Sequence, residues 1–155
     1  MTTRDDRRTG PQTELERRAG SETQATRQTN SPALYGALLS GTGVALGAFG
    51  AHALKSSLSP AMLEIFETGV RYQMYHGLGL LAIGAIPAYA PGLQTGSGNR
   101  APVLLLAGTV VFSGSLYLLS FTGVKWLGAI TPVGGVMMLA GWGLVARSFW
   151  AGKKN

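Results

Sequence analysis

The sequence predicts an all-α, polytopic membrane protein, a four-transmembrane-helix bundle with a short interfacial amphipathic helix between helices 1 and 2. Of its 155 residues, 46% are hydrophobic and 13% charged, and eleven of the twenty charges lie in the first 27 positions. The other nine leave four charge-free intervals, 28–54, 72–99, 101–124 and 126–146. Each interval is long enough for a transmembrane helix, which needs about 20 residues.

The placement of the charges excludes other classes of protein. The net charge is +6, and residues 28–155 carry seven bases against two acids. These bases flank the apolar intervals, where long cationic side chains reach lipid headgroups. They therefore indicate membrane edges and not nucleic-acid binding. The chain has no Cys, which excludes a disulfide-stapled scaffold and thiol catalysis.

Both ends of the chain are predicted to lie outside the membrane domain, which we place at 32–150. Residues 1–31 are rich in Arg, Thr and Gln and hold one aliphatic side chain, Leu15. Such a segment buries too little apolar surface to offset its conformational entropy, so we expect a disordered tail. Residues 151–155 form a short basic tail.

Helix 1 is predicted over about 32–54, because Ser31-Pro32 combines an N-cap residue with a proline at the first helical position. Ala51-His52-Ala53 also fits a signal-peptidase site, but the polar tail before the helix is too long for a signal peptide. Small residues recur every three or four positions and predict a face for close helix packing. They are Gly36, Ser40, Gly43, Gly47 and Ala51.

Ser59-Pro60 repeats the start signal and opens the interfacial amphipathic helix. Glu67 and Arg71 are four residues apart on it, with the acid first, which favours a local ion pair. Helix 2 is expected over about 72–90, followed by a flexible Gly- and Ser-rich loop.

Helix 3 is expected over about 102–121. The hydroxyls of Ser113 and Ser115, on either side of Gly114, suit hydrogen bonds to helix carbonyls or to a neighbouring helix. Helix 4 is expected over about 126–149 and begins either at Trp126 or at Pro132. It offers Gly134 and Gly135 as further close-approach positions.

Charge also predicts the orientation. Seven Lys or Arg side chains flank the spans on the side of the two termini and three on the other side. By the positive-inside rule, we expect a multi-pass protein of the cytoplasmic membrane with both termini in the cytoplasm.

One polar cluster is predicted, at the non-cytoplasmic end of helices 1 and 2. If these helices form a hairpin, its members share one membrane depth, and they act either as a proton-relay or ligand site or as interhelical hydrogen-bond partners. No catalytic group, cofactor site or metal-ligand spacing is found. The cluster consists of His52, Glu67, Arg71, Tyr72 and His76.

The segments ALGAFGAHALK, FETGVRYQMYHGLGLL, VVFSGSLYLLSFTG and AITPVGGVMMLAGWGL occur in this order. Through them, residues 33–150 resemble the domain of unknown function 423 family, which includes YgdD-like and transmembrane protein 256-like proteins. The resemblance implies a short polytopic inner-membrane protein and assigns no activity. The matching signature positions are His52, Tyr72, His76, Ser113, Ser115, Tyr117, Thr131, Pro132 and Trp142.

These observations favour a structural or interaction protein of the membrane, because small residues are abundant and reactive groups are few. Its expected partners are the lipid bilayer and either further copies of itself or a larger membrane complex, with no nucleic acid. The alternative is a small oligomeric transporter or channel that uses the polar cluster, and this would need at least a dimer to form a pore.

Overall fold

A computed structural model describes residues 31–89 and 100–152 of the chain. Within these ranges it is helical apart from short connections, which confirms the all-α class. The tail up to residue 30, the loop 90–99 and the last three residues lie outside the described residues. The α-helices are α1, Ser31–His52; α2, Pro60–Tyr89; α3, Ala101–Thr122; and α4, Leu127–Gly152, with a 3-10 helix at Leu54–Ser56.

Helix α2 begins where Ser59-Pro60 predicted, and the Ser59 hydroxyl accepts the backbone N–H of Met62 at 3.4 Å. It then continues for 30 residues, so the separate interfacial helix and the expected second start at Tyr72 are corrected to one helix. The reason is that nothing between residues 71 and 72 ends a helix, and the buried stripe runs through this point. That stripe consists of Phe66, Gly69, Gln73, Gly77 and Leu80.

The connection between α3 and α4 is short and is closed by a glycine. Gly123 has a φ of 67° and donates its N–H to the Leu119 carbonyl at 2.8 Å, which is a left-handed helix end that glycine favours. Helix α4 begins at Leu127, so the earlier of the two expected starts is the one adopted. Pro132 lies inside the helix, in its second turn.

The helices pack in chain order: α1 along α2, α2 along α3, and α3 along α4. In the part of the chain that the structure describes, α1 does not pack along α4 as it would in a closed four-helix bundle. The expected bundle is therefore an open row with α1 at one edge, while α4 at the other edge also contacts α2 through Trp142, which lies beside His76 and Gly79. A small core of Leu80, Ile83 and Leu105 holds the middle of the row.

The outer surface of the row is apolar, as expected in a lipid environment. Among the described residues, three helices are long and apolar enough to span a membrane, Ser31–Ser56, Ala101–Thr122 and Leu127–Trp150. Large apolar side chains point outward from them, such as Leu139, which is 73% exposed. Helix α2 is outside this set, and its first twelve residues carry Glu64, Glu67 and Arg71.

Candidate functional site

The contacts between α1 and α2 determine which residues of these antiparallel helices lie at the same level. A Cβ atom added to Gly43 would lie 2.7 Å from the Met74 sulfur, and one added to Gly47 would lie 3.4 Å from Val70 Cγ1. These two contacts are four residues apart on each helix, so both give the same alignment of α1 against α2. This register sets the depth of every polar residue on the hairpin.

The two histidines of the predicted cluster are far apart. In the register of the hairpin, His52 lies level with Ile65, and His76 is eleven residues further along α2, about 16 Å at 1.5 Å per residue. The expectation that they share one depth is therefore wrong. It assumed that the second helix starts at Tyr72, whereas twelve residues of α2 precede that position.

Tyr72 and His76 form an aromatic lock on the side of α2 that faces α3 and α4. Their rings stack with centroids 6.2 Å apart and an interplanar angle of 14°. The His76 Nδ1 donates to the Tyr72 carbonyl at 2.8 Å, since a carbonyl can only accept. The ring centroid of Phe112 on α3 lies 4.6 Å from that of Tyr72, and the ring centroid of Trp142 on α4 lies 6.1 Å from that of His76. The buried His76 imidazole is thus part of a group of aromatic rings that connects α2, α3 and α4.

Glu67 and Arg71 lie on a different face of α2, beside α1. Together with Gly47, Gly50, Phe66 and Val70 they line an open groove of about 240 Å³. Both charged side chains are exposed, and within the described residues neither takes part in an ion pair. The expected local pair between them is not formed. The predicted cluster is thus divided between a groove, an aromatic lock and the exposed His52.

A buried hydrogen-bond network, which sequence reasoning missed, centres on Gln73. Its Nε2 donates to the Leu39 carbonyl at 2.9 Å and to the Thr42 hydroxyl at 2.8 Å, and its Oε1 accepts from Tyr117 at 2.9 Å. One amide therefore links α1, α2 and α3. The available signal was a lone glutamine in the charge-free part of α2, because a polar side chain at membrane depth needs partners.

The serines of α3 bond to both neighbouring helices. The Ser113 hydroxyl donates to the Gly69 carbonyl of α2 at 2.8 Å, and the Ser115 and Thr131 hydroxyls of α3 and α4 are 2.8 Å apart. A Cβ atom added to Gly114, in contrast, would meet no atom within 4 Å. Gly114 therefore faces outward and is not a packing position within the protomer.

The predicted glycines differ in how tightly they are packed. A Cβ atom added to Gly36 would lie 2.5 Å from the Leu81 nitrogen, and one added to Gly134 would lie 2.5 Å from the Phe112 nitrogen. At Gly135 the nearest atoms are 4.0 Å away. Ala51 is exposed at the end of α1.

Within residues 31–89 and 100–152, no nucleophile and base lie within hydrogen-bond distance of each other. Among the described residues, no group of three His, Cys, Asp or Glu side chains could hold a metal ion. Several of the described polar side chains connect helices, and others bond within their own helix, as the buried Ser120 hydroxyl does to the Tyr117 carbonyl. The two features that leave chemistry open are the groove beside Glu67 and the outer faces of the edge helices.

Comparison with known proteins agrees with the apolar helices. A family model described as "Protein of unknown function (DUF423)" matches residues 46–135. A UPF0382 membrane protein of Staphylococcus haemolyticus is 49% identical over 70% of this chain and 86% of its own length. The UPF0382 membrane protein YwdK of Bacillus subtilis is 45% identical over 70% of this chain and 87% of its own length. No solved structure matches the chain.

The matched region begins within α1 and ends within α4. It includes the groove, Tyr72, His76 and Gln73, while Leu39 and Thr42 of the glutamine network and Trp142 lie outside it. It covers more than half of the chain, and the relatives match along most of their own length. On these grounds the chain is a membrane protein that belongs to the DUF423 family.

Proposed function

We propose that this protein is a structural component of the cytoplasmic membrane that associates with further copies of itself through the outer face of α1 and has no catalytic role. The observation that supports this is the unpartnered small-residue face of an edge helix. Ala37, Gly41 and Ala45 follow one another at four-residue intervals, and all three are exposed. A Cβ atom added to Gly41 would meet no atom within 4 Å.

The chemistry of this face suits a second copy of the same chain. Ala37, Gly41 and Ala45 carry no charge or hydrogen-bonding side chain that would specify a different partner. Small residues at four-residue spacing let two helix backbones approach closely in a membrane, where packing and not the hydrophobic effect drives association. A twofold axis would place the same face on both subunits, so the surface needs only to complement itself.

We further propose that α2 is the fourth span, with both termini in the cytoplasm. At 1.5 Å per residue its 30 residues extend about 45 Å, which exceeds a hydrocarbon core of about 30 Å. Its last eighteen residues carry no charge, and its first third would then lie at the non-cytoplasmic interface. The excess of Lys and Arg on the side of the termini supports this orientation.

The test compares two identical substitutions at glycines where an added Cβ atom would meet no atom within 4 Å. Gly41→Leu adds bulk to the proposed association face, whereas Gly114→Leu adds it to the outer surface of α3. We expect Gly41→Leu to convert the oligomer purified in mild detergent to a monomer, with unchanged helical content. Gly114→Leu should retain the parent mass in analytical ultracentrifugation. A monomeric parent protein, or an unchanged oligomer with Gly41→Leu, would contradict the proposal.

A further inference from the structure

The groove between α1 and α2 is lined by glycines, an aromatic ring and two charged side chains. The packing of a single protomer gives no reason for this combination. The floor of the groove is made of Gly47 and Gly50, and its wall includes Phe66. A Cβ atom added to Gly50 would lie 3.0 Å from the Phe66 ring. The space of about 240 Å³ therefore exists because α1 has glycines where it passes this part of α2.

Two side chains of opposite charge stand at the edge of this groove. Glu67 and Arg71 are one helical turn apart in the order that favours an ion pair, yet no ion pair joins these two described residues. Their carboxylate and guanidinium are therefore both available. A ligand that satisfies both must carry an anion and a cation a short distance apart.

The side chains around the groove favour a lipid as the ligand over a soluble zwitterion. Large apolar side chains are exposed on both helices that form it, Val44 and Phe49 on α1 and Leu78 on α2. These side chains suit acyl chains, while the charged edge suits a headgroup. The groove also lies near the end of the hairpin, in the part of α2 that carries its charged residues.

We propose that this groove binds the headgroup of phosphatidylethanolamine, a zwitterionic phospholipid with a primary ammonium. The Arg71 guanidinium bonds to the phosphate, since its planar fork matches a phosphate geometrically. The Glu67 carboxylate accepts hydrogen bonds from the ammonium. A choline headgroup offers no N–H donor to Glu67, and a phosphatidylglycerol headgroup offers it no cation.

The test uses the full-length protein in nanodiscs that contain equal amounts of phosphatidylethanolamine, phosphatidylcholine and phosphatidylglycerol. Native mass spectrometry after release identifies the lipids that stay bound. We expect phosphatidylethanolamine to be retained preferentially, and Glu67→Gln and Arg71→Gln each to lower its retention about tenfold, the loss expected for one charge-assisted hydrogen bond. Glu64→Gln, on the same helix but outside the groove, is the matched control and should retain it as the parent does.

Several outcomes would overturn the inference. Equal retention of the three lipids would remove the selectivity, and unchanged retention in both groove variants would place the lipid elsewhere. A third arm adds an excess of free phosphoethanolamine to the lipid-bound protein. If the soluble headgroup displaces the lipid completely, the ligand is a soluble zwitterion and the lipid assignment is wrong.

Discussion

The two faces of α1 are built from similar small residues but meet different surroundings. On the inner face, Gly36 and Gly43 are buried, and added Cβ atoms there would overlap α2. On the outer face, Gly41 and Ala45 are exposed, and the space beside Gly41 is empty. A periodic stripe of small residues thus marks where a helix can be approached closely, but it does not say whether the approaching helix belongs to the same chain.

This comparison predicts that equal substitutions on the two faces act on different quantities. The inner face contributes to the free energy of unfolding of one protomer. The outer face contributes to association between protomers and little to folding. Each prediction below changes one face or one contact and asks which quantity responds.

The largest effect is expected for Gly36→Leu. An added Cβ atom would lie 2.5 Å from the Leu81 nitrogen and 2.6 Å from the Gly77 carbonyl oxygen, so the two backbones must separate. We expect a loss of about 3 kcal/mol in the free energy of unfolding, the upper range for overpacking. Denaturation of the reconstituted protein with SDS measures it.

The control for this substitution is Gly41→Leu, five positions along the same helix on its outer face. The protomer should then keep its free energy of unfolding within about 0.5 kcal/mol, as surface changes usually do. Equal destabilisation by both variants would mean that the two faces are not distinct.

Part of this picture follows from sequence alone. The Gly36, Ser40, Gly43 and Gly47 stripe predicts close packing, because glycine spacing directly limits how near two helices can come. The joining of the amphipathic segment and the second span into one helix was missed. Charge density changes at Arg71, and the prediction treated this change as a break, although helix continuity depends on the backbone and on the buried stripe.

The candidate site was harder to predict than the helices. The depth of His52 and His76 depends on where α2 begins, so one wrong boundary moved His76 by about 16 Å. Gln73 was overlooked because only ionisable side chains were considered as costly inside a membrane. Which glycines face outward, such as Gly114, depends on the rotation of each helix, and helical spacing alone does not fix that rotation when the outer surface is also apolar.

An intermediate effect is expected for Gln73→Leu. It removes three hydrogen bonds and leaves the Leu39 carbonyl, the Thr42 hydroxyl and the Tyr117 hydroxyl without this partner. We expect a loss of about 2 kcal/mol in the free energy of unfolding, because buried polar groups are left unsatisfied.

Tyr117→Phe serves as the matched variant for the glutamine network, since it removes one of the three bonds. It should cost about 0.6 kcal/mol, the average for interhelical hydrogen bonds in membranes. The double variant with Gln73→Leu should lose less free energy of unfolding than the sum of the two single variants' losses. Strict additivity would show that the bond between them contributes nothing.

The smallest effect is expected for Ser113→Ala, which removes the bond to the Gly69 carbonyl. A loss of about 0.6 kcal/mol in the free energy of unfolding is predicted. Gly114→Ala, the adjacent position that faces open space, should cause no loss, because the added methyl group meets no atom and alanine favours a helix more than glycine does. A larger loss at residue 114 than at residue 113 would contradict the rotation of α3.

The central claim is that the outer face of α1 meets a second copy of the chain, and disulfide cross-linking tests it most directly. The chain has no Cys, so a single introduced thiol can pair only with its counterpart in another copy of the chain or with a different protein. We predict that Gly41→Cys, oxidised in native membranes, gives a covalent dimer, because close helix approach brings the two Cα atoms within about 7 Å. Gly114→Cys, on α3 where an added Cβ atom would also meet no atom within 4 Å, should stay monomeric. A monomer from Gly41→Cys, or equal cross-linking at both positions, would contradict the account.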